Sequence, residues 1–519
     1  MKTLLVGINA RYSHTNPAIR SLQAYASDPA RTVPVPASDI VLYENHVNQP
    51  YDRLLRELAD ADADLYGFSC YLWNIETVMR LCSDLRLLKP GAILLLGGPE
   101  ILRDASAEKY LAALPAVDML LAGEGEESFH RLLLRLSDPT RSGDPGPDVP
   151  GLTWRHNGVI RSRAPGPPME MDRIPFLYRD GFTGLENRLV YYESTRGCPC
   201  GCAYCLSAND RLVRSRPLPA VLEEIGFLAA AGVRTVKFVD RTFNADPDRS
   251  CAIWRYVSSL RTETVFHFEV AAHLADDASL RVLAEAPAGR IQLEAGIQSI
   301  HGDVLRAAGR TAPPEITLDR ARRLTGLGNL DVHLDLIIGL PGETADRFAE
   351  SFDAVYALAP GSLQVETLKV LPGTPMRSLA SRPGWRFSPH PPYRLLSSDS
   401  LRPDEVFRLE DVARLTDVYY NSRAFSTTLQ LMTKRAGSPY RFFEELACIW
   451  RSLGLFARDV SRNEAAALLL HLADGDREVE ACLRADQPRL ASEREWHGLT
   501  ARRSGFGALR SDIMDSNGT

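Results

Sequence analysis

The sequence predicts an α/β chain in three parts: an N-terminal doubly wound Rossmann-like sheet, a central partial (β/α)6 TIM barrel and a helical C-terminal domain. Three observations predict it. Over the first 135 residues short apolar runs alternate with segments of helical period; after a stretch rich in Pro, Gly and Asp the alternation resumes six times; beyond Pro375 the strand signal fades while the helical period continues. At 519 residues, 45% hydrophobic and 24% charged, the chain is long enough for two or three separate cores.

The runs TLLVGIN, IVLYEN, DLYGFSCYLW, AILLLGGPE and DMLLAGEGE give about five strands, separated by amphipathic segments such as YDRLLRELADA. Residues 1–135 are therefore expected to form parallel βαβ units covered on both faces. Residues 136–187 read as a linker around one short hairpin, LTWRHNGVIRS, turning at Asn157 and Gly158. Residues 188–376 open on LVYYESTRG and continue through VRTVKFVD, VFHFEVAAH, RIQLEAGIQS, VHLDLIIGLPGE and SLQVETLKVLPGTP, with helical segments between. Such a barrel carries its chemistry at the C-terminal ends of its strands, where the polar motifs of this stretch fall. Residues 377–505 are expected to be helical, with Phe407, Tyr419, Tyr420, Tyr440, Phe442 and Phe443 in the core by their spacing, and residues 506–519 to form a disordered tail.

The net charge of −6 with scattered cations gives no basic field, so nucleic acid is not an expected partner. No run approaches the roughly 20 apolar residues that span a bilayer, and the N-terminus lacks a signal-peptide pattern, so no membrane partner and a cytoplasmic location are expected. In that reducing compartment crowded cysteines point to metal ligation or redox chemistry rather than to disulfides.

Four of the nine cysteines lie in STRGCPCGCAYC, residues 194–205. Cys198, Cys202 and Cys205, spaced CxxxCxxC after the first barrel strand, can take three corners of an iron–sulfur cubane and leave one iron without a protein ligand. Zinc would ask for a closed set of four, and no second pair follows. Cys200, two residues from both Cys198 and Cys202, is poorly spaced for joint ligation and reads as a bystander or a cofactor contact. Cys70, Cys82, Cys251, Cys448 and Cys482 read as buried small apolar residues.

RGCPCGCAYC at the top of the first barrel strand, with Tyr204 directly before the last cysteine, resembles the radical S-adenosylmethionine superfamily. The resemblance implies that the three cysteines hold a 4Fe-4S cluster whose open iron chelates S-adenosylmethionine, cleaved on reduction to a 5′-deoxyadenosyl radical. It also implies that Glu294, Gln298 and Ser299 lie near the ribose and methionine part, that Arg310 pairs with the carboxylate and that Ile337 and Leu340 flank adenine. Where the family carries a second-strand Gly-Gly-Glu, this chain has Asp240 and Arg241, the candidates for the methionine end.

The strand ends of the N-terminal part read NARYSHTNP, SCYLWN, GGPE and GEGEES. Glycines there allow close backbone approach to a large flat ligand, Tyr12, Tyr71, Leu72 and Trp73 offer apolar walls, and without GxGxxG after the first strand a dinucleotide is disfavoured. A GGPE-type loop and a GEGE-type loop ahead of a radical barrel resemble the cobalamin-binding domain of cobalamin-dependent radical enzymes. That resemblance implies cobalamin beside Tyr12, Ser69, Leu72, Gly98 and Glu124. A DxHxxG motif is absent and His14 and His46 read as solvated or structural, so cobalt is expected without a protein imidazole on its lower face. Glu124 and Glu126 read as caps of the helix that GEGEES opens.

Taken together, the resemblance implies a cobalamin-dependent radical S-adenosylmethionine enzyme, read as a methyltransferase acting on an unactivated carbon of a small molecule or natural product. One S-adenosylmethionine would methylate cob(I)alamin and another would supply the radical, with electrons from an external flavodoxin- or ferredoxin-like donor. The alternatives are cyclisation or rearrangement without methyl transfer, and a non-catalytic iron–sulfur or cobalamin sensor. Methylthio transfer would ordinarily bring a second N-terminal cysteine set and an RNA-binding barrel; Cys70 and Cys82 do not make the former, and the helical C-terminal segments do not make the latter.

Overall fold

The computed structural model describes residues 1–36, 39–101, 106–138, 148–179 and 188–487, with Asp144, Gly146 and Leu185. The chain divides into two units: Met1–Leu293 with Lys369–Arg382 and Phe387–Arg394, and Glu294–Leu368 with Pro383–Arg386 and Leu395–Thr519.

In the first unit, β1 (Thr3–Asn9), β2 (Ile40–His46), β3 (Leu65–Ser69), β4 (Ile93–Gly97) and β5 (Met119–Leu121) form a parallel sheet in the order β2-β1-β3-β4-β5. Every residue of β1 and β3 is buried. Leu4, Val6 and Ile8 pack with Leu54, Leu58, Val78 and Leu81 on one face, while Leu5 packs with Ile19, Leu65, Phe129 and Leu132 on the other. A continuous apolar run codes for this two-sided burial. The chain crosses in opposite senses on either side of β1, so the crevice beyond the ends of β1 and β3 is the topological switch point.

The expected hairpin is present as β6 (Leu152–His156) and β7 (Val159–Ser162), with Asn157 and Gly158 at positive φ in its turn. It departs from the linker reading by adding to the sheet: β6 pairs antiparallel with β5, giving seven strands rather than five. Leu152 and Trp154 draw it there by burying themselves in the same layer as Phe129.

Next come β8 (Leu189–Tyr192) and the short antiparallel pair β9 (Thr195–Arg196) and β10 (Arg214–Ser215), then β11 (Thr235–Phe238), β12 (Val265–Val270), β13 (Ile291–Gln298), β14 (Asp331–Ile338) and β15 (Ser362–Thr367). The partial barrel has the strand order β15-β14-β13-β12-β11-β8, the six strands expected. In the first unit its outer layer is aromatic, with Phe243 4.3 Å from Phe268 and 5.6 Å from Trp254 between ring centroids.

The C-terminal part of the second unit is helical: Pro403–Leu415, Ser426–Ala436, Pro439–Ser452, Arg462–Ala473 and Arg477–Asp486. Tyr419, Tyr440, Phe442 and Phe443 are buried and Tyr420 half-buried, as their spacing predicts. Phe407 is not: the buried stripe of its helix runs through Val406, Leu409 and Val412, leaving Phe407 48% exposed. Cys448 is likewise exposed, because its helix buries Phe443, Leu446, Ala447 and Trp450, and Cys482 is half-buried. The tail of residues 506–519 lies outside the described residues. No described helix is long and apolar enough to cross a membrane.

Candidate active site

The pair β9–β10 forms the neck of the cysteine loop and sets Arg196 directly opposite Arg214. Two facing guanidinium groups repel unless anions stand between them. Arg196 pairs with Glu193 at 2.7 Å and Glu126 at 2.8 Å; Arg214 pairs with Glu124 and Asp210, each at 2.7 Å, and donates to the Met169 carbonyl. Gly197 follows at φ +98°, and a Cβ there would collide with the Leu212 carbonyl oxygen, so the turn into the loop requires glycine. Within the loop, the Cys198 N–H donates to the Asp210 carbonyl at 2.9 Å and the Cys205 N–H to the Cys202 carbonyl at 3.0 Å.

The hydrogen bond from Cys200, helped by the Thr242 hydroxyl 3.2 Å away and by the Arg241 charge, brings the Cys198 thiol down to about 6 against the opposing effect of burial. Cys198 is therefore readily a thiolate, the form that ligates metal. Cys200 acts on its neighbour. Among the described residues no three His, Cys, Asp or Glu side chains converge on a single ion. A cubane asks for something else, one thiolate on each of three irons, and the three-cysteine donor set with its thiolate-prone first member fits that demand.

Asp240, at the end of β11, corrects a sequence expectation. It is 0% exposed and accepts the Ser194 N–H at 2.8 Å on one oxygen and the Ser194 hydroxyl at 2.5 Å on the other. Burial pushes its carboxyl up to about 6 in spite of those bonds. It fastens the chain ahead of the cysteine loop and presents no free oxygen to a cofactor. Arg241 beside it is exposed; its charge adds to the lowering of the Cys198 thiol and partly offsets the burial that raises the Tyr71 phenol. Tyr204 is half-buried in the loop's last turn, where the Met376 N–H donates to the Ala203 carbonyl at 2.9 Å.

At the switch-point crevice Tyr12 is 67% exposed, and Trp73, 43% exposed, stacks on Tyr71 with centroids 4.4 Å apart and planes at 8°. Asn74 ties the strand ends by donating to the carbonyls of Ile8 and Ser69, both at 2.9 Å. Gly98 stands at φ +105°, where a Cβ would lie 2.6 Å from the Cys70 carbonyl oxygen. The Ser69 side chain is buried, and Leu72 is half-buried. Exposed aromatic walls and tight backbone fit a large, largely apolar ligand such as a corrin.

His14 bridges to Leu189, and its Nδ1 lies 3.3 Å from the Tyr191 hydroxyl. His46 lies edge-on to Tyr12 at 6.0 Å, with Nε2 3.1 Å from Gln49 Nε2. The two glutamates depart from their expected roles. Glu124, at the N-cap position of helix Gly125–Ser137, makes no side-chain cap bond; it takes Arg214 and the Met169 N–H at 2.9 Å. Glu126 is buried against Arg196 and the Ser21 hydroxyl at 2.8 Å. Glu124 is thus committed to the neck of the cysteine loop. Arg196 and Arg214 escaped the sequence reading, and their one local signal is that they flank the cysteine motif.

In the second unit Glu294, Gly296 and Gln298 share the less buried face of β13. Gln298 sits at φ +71°, folds its amide over Gly296 and leaves Oε1 buried without a partner, a strained and unsatisfied arrangement of the kind found at binding sites. Arg310 comes to the same place, donating to the Gly296 carbonyl at 2.8 Å. Ile337 is half-buried, but Leu340 and Ser299 are fully buried, which removes both from the expected cofactor contacts. The Ser299 hydroxyl donates at 2.6 Å to Glu343, whose carboxyl burial pushes up to about 7 against the hydrogen bond from Ser299. Glu343 was missed because nothing in GLPGET signals that its glutamate turns inward.

Family models match three successive parts of the chain. The B12 binding domain model matches residues 3–133, the Radical SAM superfamily model residues 192–355, and a model described as a protein of unknown function (DUF4080) residues 383–493. The cobalamin-dependent radical SAM methyltransferase TokK of Streptomyces tokunonensis is 29% identical over 353 residues, covering 62% of this chain and 50% of that protein. The 2-(S-pantetheinyl)-carbapenam-3-carboxylate methyltransferase of Streptantibioticus cattleyicolor is 28% identical, covering 69% and 54%. The chain thus spans about half the length of these curated relatives. Among solved structures, the cobalamin-dependent S-adenosylmethionine radical enzyme OxsB superposes with a TM-score of 0.63 at 13% identity, covering 99% of this chain and 80% of that one. The radical S-adenosylmethionine methyltransferase TsrM of Kitasatospora setae gives 0.58 at 16% identity, covering 79% and 82%. At these identities the structural likeness is one of fold.

Proposed function

We propose a function from one premise: this chain carries a cobalamin-binding domain followed by a radical SAM domain, the architecture of cobalamin-dependent radical SAM enzymes. It is a methyltransferase that acts on an unactivated carbon of a small molecule. The observation that carries the reading is the ion-paired neck: Glu124 and Glu126, from the N-terminal end of the helix after β5, hold Arg196 and Arg214 on either side of the cysteine loop. The crevice and the three thiols are thereby fixed against each other within one unit, as a reaction between two cofactors across one substrate requires. The methyltransferase activities of the two curated relatives support methyl transfer.

Cys198, Cys202 and Cys205 hold a 4Fe-4S cluster, and Tyr12, Ser69, Leu72 and Gly98 receive cobalamin. Within the second unit, Glu294, Gln298, Arg310 and Ile337 are the candidates for S-adenosylmethionine. When bound, the cluster supplies the electron that cleaves S-adenosylmethionine and cobalamin supplies the methyl group. The chain's own work is to orient these groups, exclude water and keep Cys198 deprotonated. Electrons come from an external flavodoxin- or ferredoxin-like donor.

The test is anaerobic reconstitution followed by incubation with S-adenosylmethionine and a strong reductant. Formation of both 5′-deoxyadenosine and S-adenosylhomocysteine is expected. Deoxyadenosine alone would move the reading to cyclisation or rearrangement; neither product would leave a non-catalytic sensor.

A further inference from the structure

The inner face of a β/α barrel is ordinarily filled by branched apolar side chains. Here the first strands depart from that. On β8, β11 and β12 the buried positions Tyr192, Phe238 and Phe268 belong to the aromatic layer under the helices. Tyr191, Lys237 and Glu269 alternate with them on the opposite face. The register sets Tyr191 beside Lys237 and Lys237 beside His267, so three polar side chains stand in one row across three strands. Glu269 stands one pleat nearer the strand ends, its carboxylate 3.7 Å from the Lys237 ammonium, the two side chains 23% and 27% exposed. His267 is buried and fixed by Gln292 at 2.9 Å.

A buried or half-buried Lys–Glu pair contributes little to stability over an apolar pair of the same volume. At 3.7 Å it is also longer than the 2.7–2.9 Å of a closed charge-assisted hydrogen bond. A ligand carrying both signs exchanges with such a pair without loss of charge balance: carboxylate to Lys237, ammonium to Glu269. The row also has a definite address. Tyr191 meets His14 from the loop that follows β1, so the row adjoins the switch-point crevice on the strands that lead to the cysteine loop. Burial, with Arg11 and Lys237 nearby, lowers the His14 pKa, so His14 presents a hydrogen-bonding group rather than a charge there.

We propose that Lys237 and Glu269, with Tyr191 and His14, recognise the zwitterionic end of the substrate, which is an amino acid or carries an α-amino-acid terminus. This rests on the enzyme reading above and names its substrate class. The experiment is calorimetric titration of the full-length, anaerobically reconstituted protein with each of the common free amino acids. Each one that binds is then compared with its methyl ester and its decarboxylated amine.

At least one amino acid is expected to bind, with its ester and amine weaker by about tenfold or more. Lys237→Met and Glu269→Gln should each weaken binding comparably, Lys237→Arg should retain it, and Tyr191→Phe, which deletes one hydroxyl, should weaken it several-fold. Iron and cobalamin contents check that each variant is folded, and if Lys237→Met is not, the ester comparison and Tyr191→Phe decide. Binding by none of the amino acids, equal binding of an ester, or unchanged binding to folded Lys237→Met overturns the proposal. S-adenosylmethionine cleavage without amino-acid binding sinks this site and leaves the enzyme reading. Amino-acid binding without either nucleoside product does the reverse.

Discussion

A methyl group at position 197 would strike the Leu212 carbonyl on a backbone at φ +98°. Gly197→Ala is therefore expected to cost about 3 kcal/mol in urea denaturation of the apoprotein and to reduce iron uptake. Alanine at Cys198, Cys202 or Cys205 should abolish iron retention after anaerobic reconstitution, whereas Cys200→Ala should keep it. Glu343 gives a pH signature. Its carboxyl rises from 4.5 to about 7 in the folded protein, so between those values the folded state holds a proton the unfolded state has lost, and stability falls as pH rises through that window. The expected fall is up to about 3 kcal/mol. Thermal denaturation from pH 5 to 8 should show Glu343→Gln with a flatter profile than the parent. The cysteine spacing was legible because it is local. Asp240, Ser299 and Glu343 were not, since what turns a strand-end polar residue inward is a partner more than forty residues away in sequence.

Among the elements, the neck β9–β10 is the one whose stability depends most on distant charges. Glu126→Ala leaves the half-buried Arg196 with Glu193 at 2.7 Å and Glu124 at 3.4 Å and should cost about 2 kcal/mol in chemical denaturation, with a parallel loss of bound iron. Glu126→Gln, which keeps an acceptor for Arg196, should recover part of both. Strands and helices were legible because periods of 2 and 3.6 are written in adjacent residues. The attachment of β6 to β5 was not, because LTWRHNGVIRS specifies a turn but not the edge it joins. The glutamates of GEGEES illustrate the same limit: their position opening a helix suggested capping, and two arginines 70 and 90 residues later claimed them instead.

At the scale of the whole molecule, reconstituted protein is expected to hold about four iron atoms, as a 4Fe-4S cluster requires, together with cobalamin. Late segments of the chain, Lys369–Arg382 and Phe387–Arg394, belong to the first unit although the helices that follow belong to the second. Within that unit they reach the cysteine loop, where Met376 meets Ala203 and Asn209 donates to the Gly373 carbonyl at 2.9 Å, and the GGPE loop, where the Tyr393 hydroxyl donates to Glu100 at 2.7 Å. Tyr393→Phe removes a hydrogen bond to a carboxylate and should cost about 2 kcal/mol, read as a lower thermal midpoint.

The Met376 bond also orders events in time. On the ribosome the three thiols emerge long before the stretch that closes their loop, because the entire barrel is translated in between. A chain stalled before Met376 has the three cysteines but lacks the backbone tie on their loop, so the loop is closed only after the barrel strands have been made.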